Sequence, residues 1–244
     1  MSFYYKQPQE IIGVTGTNGK TSTVEFCRQL WVQAGWKAAS MGTLGTKIEN
    51  TLNKSILKSP KQKLTTFDPD ELYKELYSLE NQEISHLALE ASSHGLDQFR
   101  LDSVKFTGAI FTNLSHDHLD YHENIENYFN CKKRLFTEIL QTNSAVAINI
   151  DDDFGRSIVN DSTADRVITY GKSGDLSWHG EYSSTGMRVE FSFEGKSIGT
   201  DLSVNSEFEV ANIAAALAAF LSMGYSIDKL INLFLFKIHK ISTR

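Results

Sequence analysis

The sequence predicts an α/β domain, a mostly parallel sheet flanked by helices with a small antiparallel hairpin at one edge. Three observations predict it. Apolar, β-rich runs alternate with segments of helical periodicity, a glycine-rich turn joins the first run to the first helix, and a strictly alternating stretch appears only near the C-terminal end.

EIIGVT (Glu10 to Thr15) is a short β-rich run that ends among glycines. KTSTVEFCRQLWVQAG then places Val24, Cys27, Leu30 and Trp31 at helical spacing before Gly35. DPDELYKELYSLE opens a second helix, with Asp68 as cap, Pro69 at the first position and Glu71 three residues after the cap. SHLALEAS (Ser85 to Ser92), FTGAIFTNL (Phe106 to Leu114) and SAVAINID (Ser144 to Asp151) are almost continuously apolar, which suits strands covered on both faces. NIENYFNCKKRLFTEIL supplies a helix with Ile125, Phe129, Leu135 and Phe136 facing the core. MRVEFSFEGKSIGTDLSV alternates on both sides of Glu194-Gly195 and predicts the edge hairpin; NIAAALAAFLSMG returns to helix and ends on Gly224. IENTLNKSILKSPKQK (Ile48 to Lys63) is polar and basic and predicts a loop.

The bulk numbers narrow the function. The chain has 244 residues, 41% of them hydrophobic, and a formal charge of −6, which argues against a nucleic-acid or anionic-membrane protein because either calls for a basic face. Any anionic ligand must be held locally. Cys27 and Cys131 form no C-x-x-C pair, so a disulfide framework or thiolate zinc site is not expected. Without a targeting segment or eighteen uninterrupted apolar residues, the expected location is the cytoplasm.

The turn GVTGTNGKTST (Gly13 to Thr23) departs from the usual phosphate-loop pattern G-x-x-x-x-G-K-[ST], because counting back from Gly19 reaches Val14. Its chemistry is nonetheless that of a P-loop. Gly16 and Gly19 let backbone N–H groups converge at a helix start, Lys20 can neutralise terminal phosphates, and the Thr21 hydroxyl can ligate magnesium.

GTNGKTS is the form of this loop that resembles the Mur ligase family. LTTFDP, LEASSHGLDQFRL, FTNLSHDHLDYHENIENYFNCKKRLF and INIDDDFGR follow in the family's order and, within it, resemble the type that adds a diamino acid. The resemblance runs from Ile11 to about Tyr225. It implies the central ATP-binding domain over 11–236, a residual linker over 1–10, and at 237–244 the start of a link to an absent C-terminal domain. A uridine-diphosphate-binding N-terminal domain is likewise expected to be absent, so that missing ligase domains would act in trans.

The resemblance implies an ATP- and Mg2+-dependent amide-forming ligase of cell-wall precursor synthesis. ATP phosphorylates the D-glutamyl carboxylate of UDP-MurNAc-L-Ala-D-Glu, and the amine of a diamino acid, meso-diaminopimelate rather than lysine, displaces the phosphate. Gly16, Thr17, Asn18, Gly19, Lys20, Thr21, Ser22, Asn113 and Asn212 are the implied ATP-binding positions. Thr21, Glu90, His118 and Lys132 are the implied metal ligands, Lys132 as a carbamate formed with CO2, and Lys20, Glu90, His118 and Lys132 the implied catalytic set. Thr65, Thr66, Ser92, Gln98 and Arg100 match the positions that hold the nucleotide-sugar peptide. Lacking its closing domain, the chain is expected to bind nucleotide weakly and to ligate little.

Three residues depart from the family pattern: Glu209 stands for the first Asn of F-N-x-x-N, Phe67 for the proline of T-T-P-D-P, and His116 where arginine is common. Glu209 is expected to weaken or reshape the adenine pocket. Two other readings stay open, a nucleotide-binding module of a split ligase and a zinc hydrolase. The latter rests on HDHLDYH, where His116, His118 and Asp120 match H-x-H-x-D-H but Tyr121 stands where the next His belongs and His122 is displaced by one.

Overall fold

The computed structural model describes residues 6–49, 56–58 and 65–234. The predicted boundary at 236/237 and most of the predicted loop 48–63 therefore lie outside the described residues.

The first strand, β1 (Glu10–Thr15), runs through the middle of one eleven-stranded sheet and feeds helix α1 (Lys20–Gln33). Next come β2 (Ala38–Gly42), β3 (Gly45–Glu49), β4 (Ile56–Lys58), α2 (Pro69–Asn81), β5 (His86–Glu90), the short α3 (Ser93–Asp97) and β6 (Gly108–Phe111). The chain continues through α4 (Leu119–His122), α5 (Ile125–Arg134), a π-helical segment (Leu135–Ile139), β7 (Ala145–Asn149), α6 (Asp153–Asp161) and β8 (Arg166–Gly171). Strands β9 (Leu176–Ser183), β10 (Gly186–Phe193) and β11 (Lys196–Leu202) precede α7 (Glu207–Ser222) and α8 (Ile227–Phe234).

The sheet order is β11-β10-β9-β8-β7-β6-β1-β5-β2-β3-β4. Its centre is parallel: β1 pairs with β5 and β6, and the pairing extends through β2 on one side and β7, β8 and β9 on the other. Helix α1 and the almost wholly buried α7 cover one face, and α2, α5 and α6 the other. Burial on both faces is why Ile11, Leu87, Leu89, Ile110 and Val146 are all at or near zero exposure and why these runs lack alternation.

The mostly parallel α/β architecture is as the sequence predicts, and both sheet ends are antiparallel. The predicted hairpin is the second half of a three-stranded meander, β9-β10-β11, with Phe191 opposite both Trp178 and Ile198. At the other end β2, β3 and β4 are also antiparallel, so Ile48, Glu49 and 56–58, read from sequence as loop, are strand. AASMG carries small residues of weak strand propensity. It becomes β2 because the sheet supplies two neighbours, and all five positions are buried.

The predicted helices form, with local differences. Val24, Cys27, Leu30 and Trp31 are all at most 3% exposed. Asp68 occupies the N-cap of α2 but makes no side-chain cap bond; its carboxylate lies 3.4 Å from Arg100 Nη1. Phe67, in place of the proline, packs into the core beneath α2.

Candidate functional site

Register carries the C-terminal ends of three strands to one edge. Val14 of β1 is level with Glu90 of β5 and Ile110 of β6, so the turn after β1, the carboxylate ending β5 and the segment after β6 emerge together. In open α/β sheets ligands bind at such an edge, where neighbouring connections leave in opposite directions.

The turn 16–19 is strapped from the β6 side. Thr17 N donates to Asn113 O at 2.8 Å, Asn18 N to Asn113 Oδ1 at 3.0 Å, and Asn113 Nδ2 and Thr112 Oγ1 donate back to Asn18 O at 3.1 and 2.7 Å. Gly19 is the N-cap of α1 with φ +88, and a Cβ there would stand 2.2 Å from Asn212 Oδ1 of α7. Only glycine combines that dihedral with that approach. Ser22 lies half-buried in the first turn of α1.

Two lysines converge on this turn. Lys20 Nζ donates to Gly16 O and Thr17 O, both at 2.9 Å, and Lys132 Nζ, from α5, donates to Gly16 O at 2.9 Å while lying 4.4 Å from the centre of the Tyr128 ring. Burial lowers the pKa of Lys20, opposed by the nearby Glu90 and Asp117. Lys132, 1% exposed, is held well below the ordinary lysine value by burial and then by the Lys20 charge.

Glu90 is 1% exposed and faces α1. Its carboxylate accepts Thr43 N at 3.1 Å and the Thr43 hydroxyl at 3.2 Å, and the Thr21 hydroxyl bonds it as well. Burial raises its pKa; the Thr21 bond and the Lys20 charge oppose that rise. Gly42 makes room for the carboxylate, since a Cβ there would lie 2.2 Å from Glu90 Oε1.

The five positions matched to the nucleotide-sugar peptide lie in one hydrogen-bonded chain beside Glu90. The Thr43 hydroxyl reaches Thr65 Oγ1 at 3.2 Å, the Thr66 hydroxyl donates to Glu90 O at 3.1 Å, and Thr66 Oγ1 and Ser92 Oγ lie 2.8 Å apart. Arg100 Nη1 donates to Thr66 O at 3.1 Å, and its Nη2 donates to Gln98 Oε1.

His118 stands apart from that chain. It is exposed, with Nε2 3.5 Å from Asp117 Oδ2, and approaches the turn through Tyr128, whose ring centre is 6.2 Å away and whose hydroxyl is 3.2 Å from Thr17 Oγ1. His116 and Asp120 are exposed too, and among the described residues no metal-capable group of ligand atoms contains His116, His118 or Asp120. Asp117, Thr43 and Tyr128 were not singled out from sequence. Tyr128 precedes Lys132 by one helical turn, a spacing that could have revealed it; nothing marked Thr43 before folding brought it to Glu90.

Glu209 has a structural use. It is the third residue of α7, its N–H donates to the Ser206 cap at 3.4 Å, and its carboxylate accepts Asn205 N at 2.8 Å, a nearly reciprocal cap.

The fold is a mostly parallel α/β sheet with a glycine turn, two converging lysines and a buried strand-end carboxylate gathered at one edge, and residues 14–220 match the Mur ligase middle domain. The chain belongs to the Mur ligase family. It is 39% identical over 222 residues to the UDP-N-acetylmuramoyl-L-alanyl-D-glutamate--2,6-diaminopimelate ligase of Brucella melitensis, covering 88% of this chain and 44% of that one. The enzyme of the same name from Anaplasma marginale is 38% identical over 226 residues, with 91% and 47% covered. A solved structure of a UDP-N-acetylmuramoyl-L-alanyl-D-glutamate--2,6-diaminopimelate ligase superposes with a TM-score of 0.81 at 30% identity, over 97% of this chain and 48% of that one. The chain spans about half the length of the curated relatives it matches. Among the described residues no helix is long and apolar enough to cross a membrane.

Proposed function

We propose that residues 11–236 are the nucleotide-binding middle part of an ATP-dependent ligase that joins a diamino acid, meso-diaminopimelate, to the D-glutamyl carboxylate of UDP-MurNAc-L-Ala-D-Glu in the cytoplasm. The observation that carries this reading is the unbroken hydrogen-bonded path from Thr21 through Glu90 and Thr43 to Thr65, with Thr66 and Ser92 attached at the Glu90 carbonyl. It joins the helix start expected to hold phosphates to the residues expected to hold the acceptor.

In this reading the γ-phosphoryl group of ATP moves to a carboxylate oxygen of the acceptor, giving an acyl phosphate and ADP. The amine then attacks the acyl carbon, the amide bond forms, inorganic phosphate leaves and the amine proton passes to solvent. Such transfer between anions is limited by repulsion and alignment, so the protein's task is placement and charge. Lys20 exchanges the Gly16 and Thr17 carbonyls for phosphate oxygens. The N–H groups at the start of α1, which have no intrahelical acceptor, add to the attraction, while Thr17 N and Asn18 N are held by Asn113. Asn212 of α7, whose side chain lies beside Gly19, is the residue assigned to the adenine base in this reading.

The donors fit magnesium, a hard cation that takes oxygen ligands. Thr21 and the buried Glu90 carboxylate, already hydrogen-bonded to each other, would supply oxygen donors to it, and when bound it would screen the phosphate charges; His118, exposed beside Asp117, stands apart from these two. Lys132 fits a carbamate: burial and the Lys20 charge shift its amine toward the neutral form, the form that adds to CO2, and the product would be an anion facing Lys20. The remaining domains of the enzyme would be supplied by another part of the same protein or by a partner chain.

Binding of a non-hydrolysable ATP analogue with magnesium, measured for wild type, Lys20→Ala and Glu90→Ala, tests the reading. Both variants are expected to bind more weakly, and unchanged binding by Lys20→Ala would remove the site. The chain alone is expected to release little ADP with precursor and diaminopimelate; robust ligation by it would overturn the need for further domains.

A further inference from the structure

Three helices meet beside this site with a different set of donors. Asp97 ends α3, His122 ends α4 and Cys131 lies in α5 one residue before Lys132. Cys131 Sγ is 3.2 Å from Asp97 Oδ1 and 3.6 Å from His122 Nδ1, and one ligand atom from each residue falls within 4.8 Å of the others.

A second observation concerns the imidazole. His122 is 4% exposed, its Nε2 is buried without a hydrogen-bond partner, and Nδ1 faces only a thiol, a weak partner. A buried imidazole usually has a strong partner at one ring nitrogen at least; the partner at Nδ1 is the weak one, and a cation bound there would replace it while Nε2 keeps the proton. The arrangement does not serve nucleophilic catalysis, since Asp97 bonds the thiol and so does not orient the imidazole as a base.

We propose that Asp97, His122 and Cys131 form a binding site for a zinc-class divalent cation, with one coordination position left to solvent. A tetrahedral ion with zinc–sulfur and zinc–nitrogen bonds of about 2.3 and 2.1 Å separates its sulfur and nitrogen ligands by about 3.6 Å. The separation of Cys131 Sγ from His122 Nδ1 agrees with it. All three residues line an open groove of about 870 Å³, which gives the ion an entry path and the fourth position its water. A thiolate, an imidazole and one carboxylate select zinc or cobalt over magnesium. On binding, the thiol loses its proton to solvent and the sulfur–metal bond replaces the S–H bond. The site shares no residue with the Thr21, Glu90, His118 and Lys132 set and does not depend on the proposed ligase reading. Occupancy would staple α3, α4 and α5, the elements that carry or adjoin Gln98, His118 and Lys132.

Cobalt(II) titration of the metal-free 244-residue chain tests the proposal. One equivalent is expected to give a thiolate-to-cobalt charge-transfer band and the d–d bands of a four-coordinate ion, displaced by zinc and not by excess magnesium. Cys131→Ser is expected to abolish the charge-transfer band and His122→Ala to weaken cobalt binding by at least about tenfold, since even supporting residues around metal ligands are worth that much. Cys27→Ser keeps the band. Zinc is expected to raise the melting temperature of wild type and not of Cys131→Ser, with circular dichroism confirming that each variant is folded. Absence of the band in the folded wild type, its persistence in Cys131→Ser, or its displacement by magnesium would overturn the site.

Discussion

Lys20 and Lys132 share an acceptor: each ammonium nitrogen lies 2.9 Å from the carbonyl oxygen of Gly16, although the two residues sit on different helices. Two like charges on one dipole in a buried place raise the cost of both. Lys132, the more buried, is the one pushed furthest toward the neutral amine.

A pH signature follows. The folded-state pKa of Lys132 lies below the ordinary value, so the unfolded chain binds more protons in the interval between them, and stability rises with pH across it. Below that interval the cost of charging the buried amine is paid in full. Lys132→Met is expected to remove this part of the rise. Thermal melts in CO2-free buffer from neutral to alkaline pH should show wild type gaining on the variant; a pH-independent difference would contradict the shift.

Lys20→Ala is expected to weaken binding of an ATP analogue about 10- to 100-fold, the worth of roughly 1.5–3 kcal/mol for hydrogen bonds to a charged group. Calorimetric titration reads it, and loss of fold is controlled by the melting temperature.

Glu90→Gln keeps the shape of the strand-end side chain and removes its charge. Magnesium is then expected to lose most of its effect on nucleotide affinity, while affinity in EDTA stays close to wild type. Equal magnesium dependence in both proteins would take Glu90 out of the metal set.

Gly19→Ala places a Cβ against Asn212 at a left-handed dihedral. The backbone strain alone is expected to cost about 1–3 kcal/mol in urea unfolding. Asn212→Gly in the same chain should restore only the steric part. Full restoration would show that the dihedral carries no strain.

Glu209→Ala removes the carboxylate that accepts Asn205 N at the start of α7. Loss of a cap of this kind is worth about 0.5–1 kcal/mol, read as a lower urea midpoint. An unchanged midpoint would leave Glu209 as a departure with no structural use.

Much of the site was legible because it is written in local chemistry. Gly19, Lys20 and Thr21 mark the proposed anion site through backbone freedom, charge and a hydroxyl at a helix start, and Glu90 joins the proposal through a carboxylate closing an apolar strand. Thr43 and Asp117 were not legible. Thr43 matters because β2 lies beside β5, and Asp117 because the segment before α4 brings it near Lys20 and Lys132.

By itself the sequence determined the alternation of strand and helix, the buried character of the parallel strands and the identity of the turn that ends β1, because hydrophobic period and glycine act over a few residues. Only the tertiary structure decided that AASMG is a strand, that both sheet ends turn antiparallel, and that Asp97, His122 and Cys131 meet. Those outcomes depend on which segments become neighbours, and the spacing of residues along a chain does not encode distance across a packed core.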